Sequence, residues 1–151
     1  MPFPFIQENT DSRTKLEGVV HGLSDTDLTR ANAGGWTVAA LLVHLAFYDR
    51  RALVLLRRWK ASGLDESPID ADAMNDALLP IFLDLDPHKA AELCLSSAAA
   101  VDAELETVTP ELFYQIEAGP THYGFSRAEH RNDHLNDIAN ILSSPPPAAG
   151  S

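Results

Sequence analysis

NAGGWTVAALLVHLAFYDRRALVLLRRWKASG, residues 32–63, is the stretch whose reading decides the fold. Leu41, Leu45, Tyr48, Leu55, Leu56 and Trp59 recur at helical spacing and mark one buried face, while Arg50, Arg51, Arg57 and Arg58 gather on the other. Thr37 after two glycines supplies an N-cap, and Gly63 a stop. Inside this helix, Asp49 falls within the apolar arc, where a carboxylate needs a partner or a proton. It reads as a structural ion-pair member, with a supporting role beside a site as the alternative. His44 lies at the boundary of the arc, on the side of Leu41, Tyr48 and Leu55.

Working outward, a first helix is expected from about Phe5 to Gly22, followed by SDTDL as a connection. Beyond residue 63, Asp65–Asp70 with Pro68 reads as a loop, and ADAMNDALLPIFLDL as a short extra helical segment that Pro80 should bend or divide. Asp86 before Pro87 caps a third long helix running to about Val108. Residues 109–125 read as irregular, since Gly119, Pro120 and Gly124 break any period. Ser126 and Glu129 have capping-box spacing, which starts the last helix at Arg127 and carries it to about Leu142. Four long helices predict an all-α four-helix bundle, one domain over residues 1–143, with residues 144–151 a disordered tail.

Composition agrees and narrows the function. Aromatic residues are only 7% of the 151, against 45% hydrophobic residues in all, and Ala and Leu dominate over β-branched types. Eleven basic against 22 acidic residues give a net charge of −11, which would repel phosphate backbones and anionic lipid alike. Neither nucleic acid nor a membrane is therefore expected as a partner. The longest apolar run, Trp36–Tyr48, falls well short of the roughly 20 residues that a spanning helix needs. A single cysteine, Cys94, requires no oxidising compartment, and the N-terminus lacks the pattern of a signal peptide, so a soluble cytoplasmic protein is expected. Cys94 itself, among Leu93, Leu95 and alanines, reads as a small core residue.

The chemistry concentrates in EHRNDHLND, residues 129–137. His130 and His134 are one helical turn apart, so both can reach one ion, and they lie on the edge of the stripe formed by Ala128, Leu135, Ile138, Ile141 and Leu142. Asp137 is either a surface carboxylate or the acceptor that fixes the tautomer of His134. His44 alone would be an ordinary core histidine, and beside an inward HxxxH it becomes a candidate third ligand. His122 and Tyr123, shortly before the last helix, stand either at the mouth of such a site or as exposed loop residues. A di-iron bundle is set aside, because no Glu-x-x-His occurs.

GGWTVAALLVHLAFYDRRAL, followed about 85 residues later by HRNDH, resembles the DinB/YfiT-like metalloenzyme family, and the resemblance covers nearly the whole chain. It implies a four-helix bundle with a divalent metal on three histidines, which map onto His44, His130 and His134. It points to zinc or nickel, with iron or manganese as further options, since imidazole by itself selects no one metal. At the level of fold the family is similar to transferases and isomerases that use low-molecular-weight thiols such as mycothiol or bacillithiol. The implied function is thiol S-transfer or hydrolysis on a small-molecule substrate, with no catalytic residue fixed beyond the candidates Asp137, His122 and Tyr123. A non-catalytic, stress-related binder of metal or small molecules is the alternative, and histidines with a purely structural role a third reading. Relatives and the apolar helix faces point to a homodimer.

Overall fold

The computed structural model describes residues 2–145. Its helices are α1 (Pro4–His21), α2 (Asp25–Thr29), α3 (Val38–Ser62), α4 (Ala71–Leu83), α5 (Pro87–Leu105), α6 (Pro110–Glu117) and α7 (Ala128–Ser143). Among the described residues there is no strand, only an isolated bridge between Ala31 and Thr37. The long helices α1, α3, α5 and α7 make the bundle. Helix α3 packs along α5, α1 lies against α5 and α7, and α4 and α7 both touch α3.

Helix α3 has the ends its residues dictate. The Thr37 side chain accepts from the N–H of Ala40 at 3.0 Å, and Gly63 closes the helix at φ 79°, which a side chain would strain. Asp86 caps α5 by accepting from the N–H of Lys89, with Pro87 at the first position.

Four local expectations are corrected. SDTDL is not a plain connection: Ser24 and Asp27 form a reciprocal capping box that opens α2, a helix too short to show a period. Residues 110–117 are helical, capped by Thr109 and begun by Pro110, because the breakers Gly119, Pro120 and Gly124 all lie beyond the last turn. Pro80 stays inside α4 without dividing it, three residues before its end. The Ser126–Glu129 capping box does not form, and α7 begins after Arg127, which makes no side-chain cap. That end is held from outside instead: Asn9 accepts from the backbone N–H of Arg127 at 2.6 Å, and the Arg127 side chain pairs with Asp49 at 2.9 Å. The expected tail, residues 144–151, lies outside the described residues from 146 onward.

The core has two apolar halves with a charged layer between them. One half is built on Leu16, Leu41, Leu42, Leu45, Leu135 and Ile138, the other on Phe5, Leu53, Leu56, Trp59, Leu105 and Ile116. Each such side chain contributes about 1.5–3 kcal/mol by leaving water. Between them Arg131, fully buried, donates to both Asp102 oxygens at 3.0 and 2.8 Å, to Asp49 at 3.3 Å, and to Asn9 and Ser12 of α1. Asp49 is thus the ion-pair member its place in the arc predicts. Arg13 closes the layer on Asp102 at 2.9 Å. One guanidinium therefore ties together α1, α3, α5 and α7, directly below the turn that carries His130.

Candidate metal centre

Helix α3 contributes His44, which is 5% exposed, and α7 contributes the half-buried His130 and His134. The rings form a near-equilateral triangle, with centroids 5.0, 4.6 and 4.8 Å apart and planes crossing at 63°, 77° and 80°. One ligand nitrogen from each lies within 4.8 Å of the others, a set that could hold a metal ion. His44 Nε2 and His130 Nε2 are 3.1 Å apart. A hydrogen bond would explain that pair alone, and so would two nitrogens placed to share an ion. The third imidazole favours the ion, because an N–H···N pair gives His134 no reason to converge.

Protonation points the same way. Burial, followed by the charge of His134, pushes the pKa of His44 down to about 4. Burial, followed by His134, His44, Arg127 and Arg131, pushes that of His130 down to about 3. Both rings are thus neutral at physiological pH, the state in which a ring nitrogen offers its lone pair. His134 Nδ1 meets Asp137 Oδ2 at 3.0 Å, which leaves its Nε2 for ligation if the proton sits on Nδ1. His44 Nδ1 is buried without a hydrogen-bond partner, so the ring is oriented by its packing and its Nε2 side.

The three histidines floor an open cavity of about 590 Å³. Trp36 stands over one side with its ring edge-on to His44, centroids 5.5 Å apart. Its position comes from an Asx turn in which Asn32 Oδ1 accepts from the N–H groups of Gly34 and Trp36, with Gly35 at φ 86°. Tyr48, one turn along α3 from His44, packs on His44 and His130 and donates its hydroxyl to Asn75 Oδ1 of α4 at 2.9 Å. Burial raises its pKa, so the phenol keeps its proton. Asp72, Asp76 and Asp137 complete the rim.

His44, His130, His134 and Asp137 are therefore brought together, and two other candidates are not. Tyr123 is 6% exposed, donates to the Ala52 carbonyl at 2.7 Å and packs edge-on to Trp59 and Phe125 in the other half of the core. His122 is exposed beside a separate groove with Arg51 and Thr121. Neither lines the histidine cavity, because the loop after α6 runs past the far half of the bundle. Tyr48, Asn75, Asp72 and Asp76 escaped notice as site residues. Tyr48 was legible, four residues after His44 on the same face, whereas the α4 residues acquire meaning only from where α4 docks. Cys94 is buried, its thiol pKa pushed up to about 12 by desolvation and then by Asp49.

A helical bundle that gathers three imidazoles beneath an open cavity could hold a metal ion and leave room for a second molecule beside it. The family model of the DinB superfamily matches residues 8–138, and the chain belongs to that superfamily. No curated protein and no solved structure matches it. Among the described residues no helix is long and apolar enough to cross a membrane.

Proposed function

We propose that the chain is a divalent-metal-dependent enzyme acting on a small molecule, with His44, His130 and His134 as ligands and thiol S-transfer or hydrolysis as its reaction. The observation that carries this is the set of three ligand nitrogens within 4.8 Å of one another on the floor of an open cavity. Structural sites are closed by a fourth protein ligand, whereas catalytic ones keep a position for water or substrate. A divalent ion of the zinc or nickel kind, when bound, supplies a Lewis acid that lowers the pKa of a thiol or water beside it.

The chain's own residues supply the rest. His44 and His130, kept neutral by burial, need release no proton before ligation in the physiological range. Asp137 orients His134 through Nδ1 and, half exposed at the rim, can also accept a proton from an attacking thiol or water. Tyr48 presents a protonated phenol beside the imidazoles, aimed by Asn75, as a hydrogen-bonding group for substrate. Trp36 and Leu41 give the cavity an apolar wall beside the imidazoles.

The test is the metal content of protein purified without added metal, repeated for His44→Ala, His130→Ala and His134→Ala. The expected result is about one divalent ion per chain, lost in each variant, together with thiol conjugation or ester hydrolysis that His134→Ala abolishes. Folded protein that neither retains nor takes up an ion would overturn the reading. Stoichiometric metal without turnover on a broad panel of thiols, electrophiles and esters would favour the non-catalytic binder.

A further inference from the structure

A ligating imidazole ordinarily donates its other ring N–H to a carboxylate, carbonyl or water, and that bond sets the orientation of the ring. His134 follows this pattern, with Asp137 at 3.0 Å from its Nδ1. His44 does not, because its buried Nδ1 has no hydrogen-bond partner among the described residues. We propose that Trp36 orients His44 by packing in place of that bond, and that Asn32 holds Trp36 there through the turn it staples. Both are positioning residues for His44, and this rests on the metal-centre reading above.

Four rings pack on His44 among the described residues: Trp36, Tyr48, His130 and His134. His130 and His134 are the other two members of the ligand set. Tyr48 lies four residues along the same helix, so it travels with His44 and cannot fix it against the rest of the bundle. Trp36 lies outside α3, its ring edge-on to His44 at 81° with centroids 5.5 Å apart, and Phe82 of α4 backs it at 6.4 Å. Edge-on aromatic pairs of this kind shift an equilibrium by up to about tenfold beyond simple burial.

What places Trp36 is a loop that burial does not shape, since residues 31–35 are all exposed. Asn32 shapes it instead. Its Oδ1 accepts from the N–H groups of Gly34 at 2.9 Å and of Trp36 at 3.1 Å, and its own N–H donates to the Trp36 carbonyl at 3.0 Å. Asn32 thus grips Trp36 at both its N–H and its carbonyl. The start of α3 does not need this staple, because Thr37 caps that helix by accepting from the N–H of Ala40. The bonds of Asn32 converge on the one residue of the loop that reaches His44.

The experiment measures zinc affinity of the full chain by competition with a chromogenic chelator, beside urea unfolding of the same proteins without metal. Trp36→Leu should bind zinc about tenfold more weakly, the scale on which groups that orient a ligand act. Asn32→Ala keeps the indole and frees it, for an expected loss of roughly fivefold, and the double variant should stay near tenfold, where independent effects would multiply to about fiftyfold. Asn32→Asp, which keeps the Oδ1 acceptor, should hold zinc within about twofold of the parent. A loop with a structural role alone would lower the urea midpoint and leave the zinc affinity of the folded protein unchanged. That result, or a double variant in which the losses multiply, overturns the inference while the metal centre stands. Should Trp36→Leu fail to fold, Asn32→Ala and Asn32→Asp decide the matter, and equal zinc affinities in those two overturn it. A parent chain that takes up no zinc overturns the metal-centre reading and this inference together.

Discussion

Replacing Arg131 by Met is the most direct test of the layer that holds the histidine turn in register. The substitution keeps much of the side-chain volume and removes donors to Asp102 at 2.8 and 3.0 Å, to Asp49 at 3.3 Å, and to Asn9 and Ser12 at 3.1 and 3.2 Å. Breaking one member of a buried charge network costs about 3–5 kcal/mol, because the partners stay buried and uncompensated. Here each carboxylate keeps a second arginine, Asp49 with Arg127 and Asp102 with Arg13, both at 2.9 Å. The expected loss therefore sits at the lower end, about 3 kcal/mol, equivalent to a fall in Tm of roughly 6–12 °C for a chain of this size. Urea unfolding of metal-free protein, with the midpoint and slope fitted separately, gives the number. A cycle with Asp102→Asn should show coupling of about 1–3 kcal/mol, since the two side chains share bonds. Since Arg131 follows His130 on α7, the variant should also bind the ion more weakly. A destabilisation under about 1 kcal/mol, with unchanged metal affinity, would refute the view that this layer sets the register of α7.

Other expectations follow from single contacts. Asp137→Asn should weaken metal binding by about 10- to 100-fold, as loss of an orienting carboxylate does, while leaving the metal-free melt nearly unchanged because Asp137 is half exposed. On acidification, unfolded imidazoles take up protons near pH 6.5 that folded His44 and His130 refuse until about 4 and 3. The unfolded state binds more protons in that window, so metal-free stability should fall as pH drops from about 6.5 toward 4, and His44→Gln should flatten the slope in urea titrations. Cys94, buried with its pKa pushed up to about 12, should resist a thiol-specific chromogenic reagent in the native protein and react fully in denaturant. Rapid native labelling would contradict its burial.

The four long helices were readable from their apolar period, and α3 and α5 also from their caps Thr37 and Asp86, with Gly63 as the stop of α3. Short helices were not. α2 spans five residues and α6 eight, fewer than the turns needed for a period to stand out from loop composition. At α7 the local signal misled, since Ser126 and Glu129 have the right spacing, yet Asn9 and Asp49 hold that end through contacts more than 75 positions away in the chain.

The same division runs through the candidate site. The sequence by itself determined that His130 and His134 share one face, that Asp137 follows one turn later, and that His44 sits at the edge of a buried arc, because positions on one helix are set by covalent geometry alone. Only the tertiary structure decided that His44 meets the pair, that α4 brings Asn75 to Tyr48, and that Arg131 turns inward to two carboxylates. Those contacts depend on the rotation and offset of one helix against another. Interlocking side chains across the whole core set these, and no spacing within a single helix encodes them.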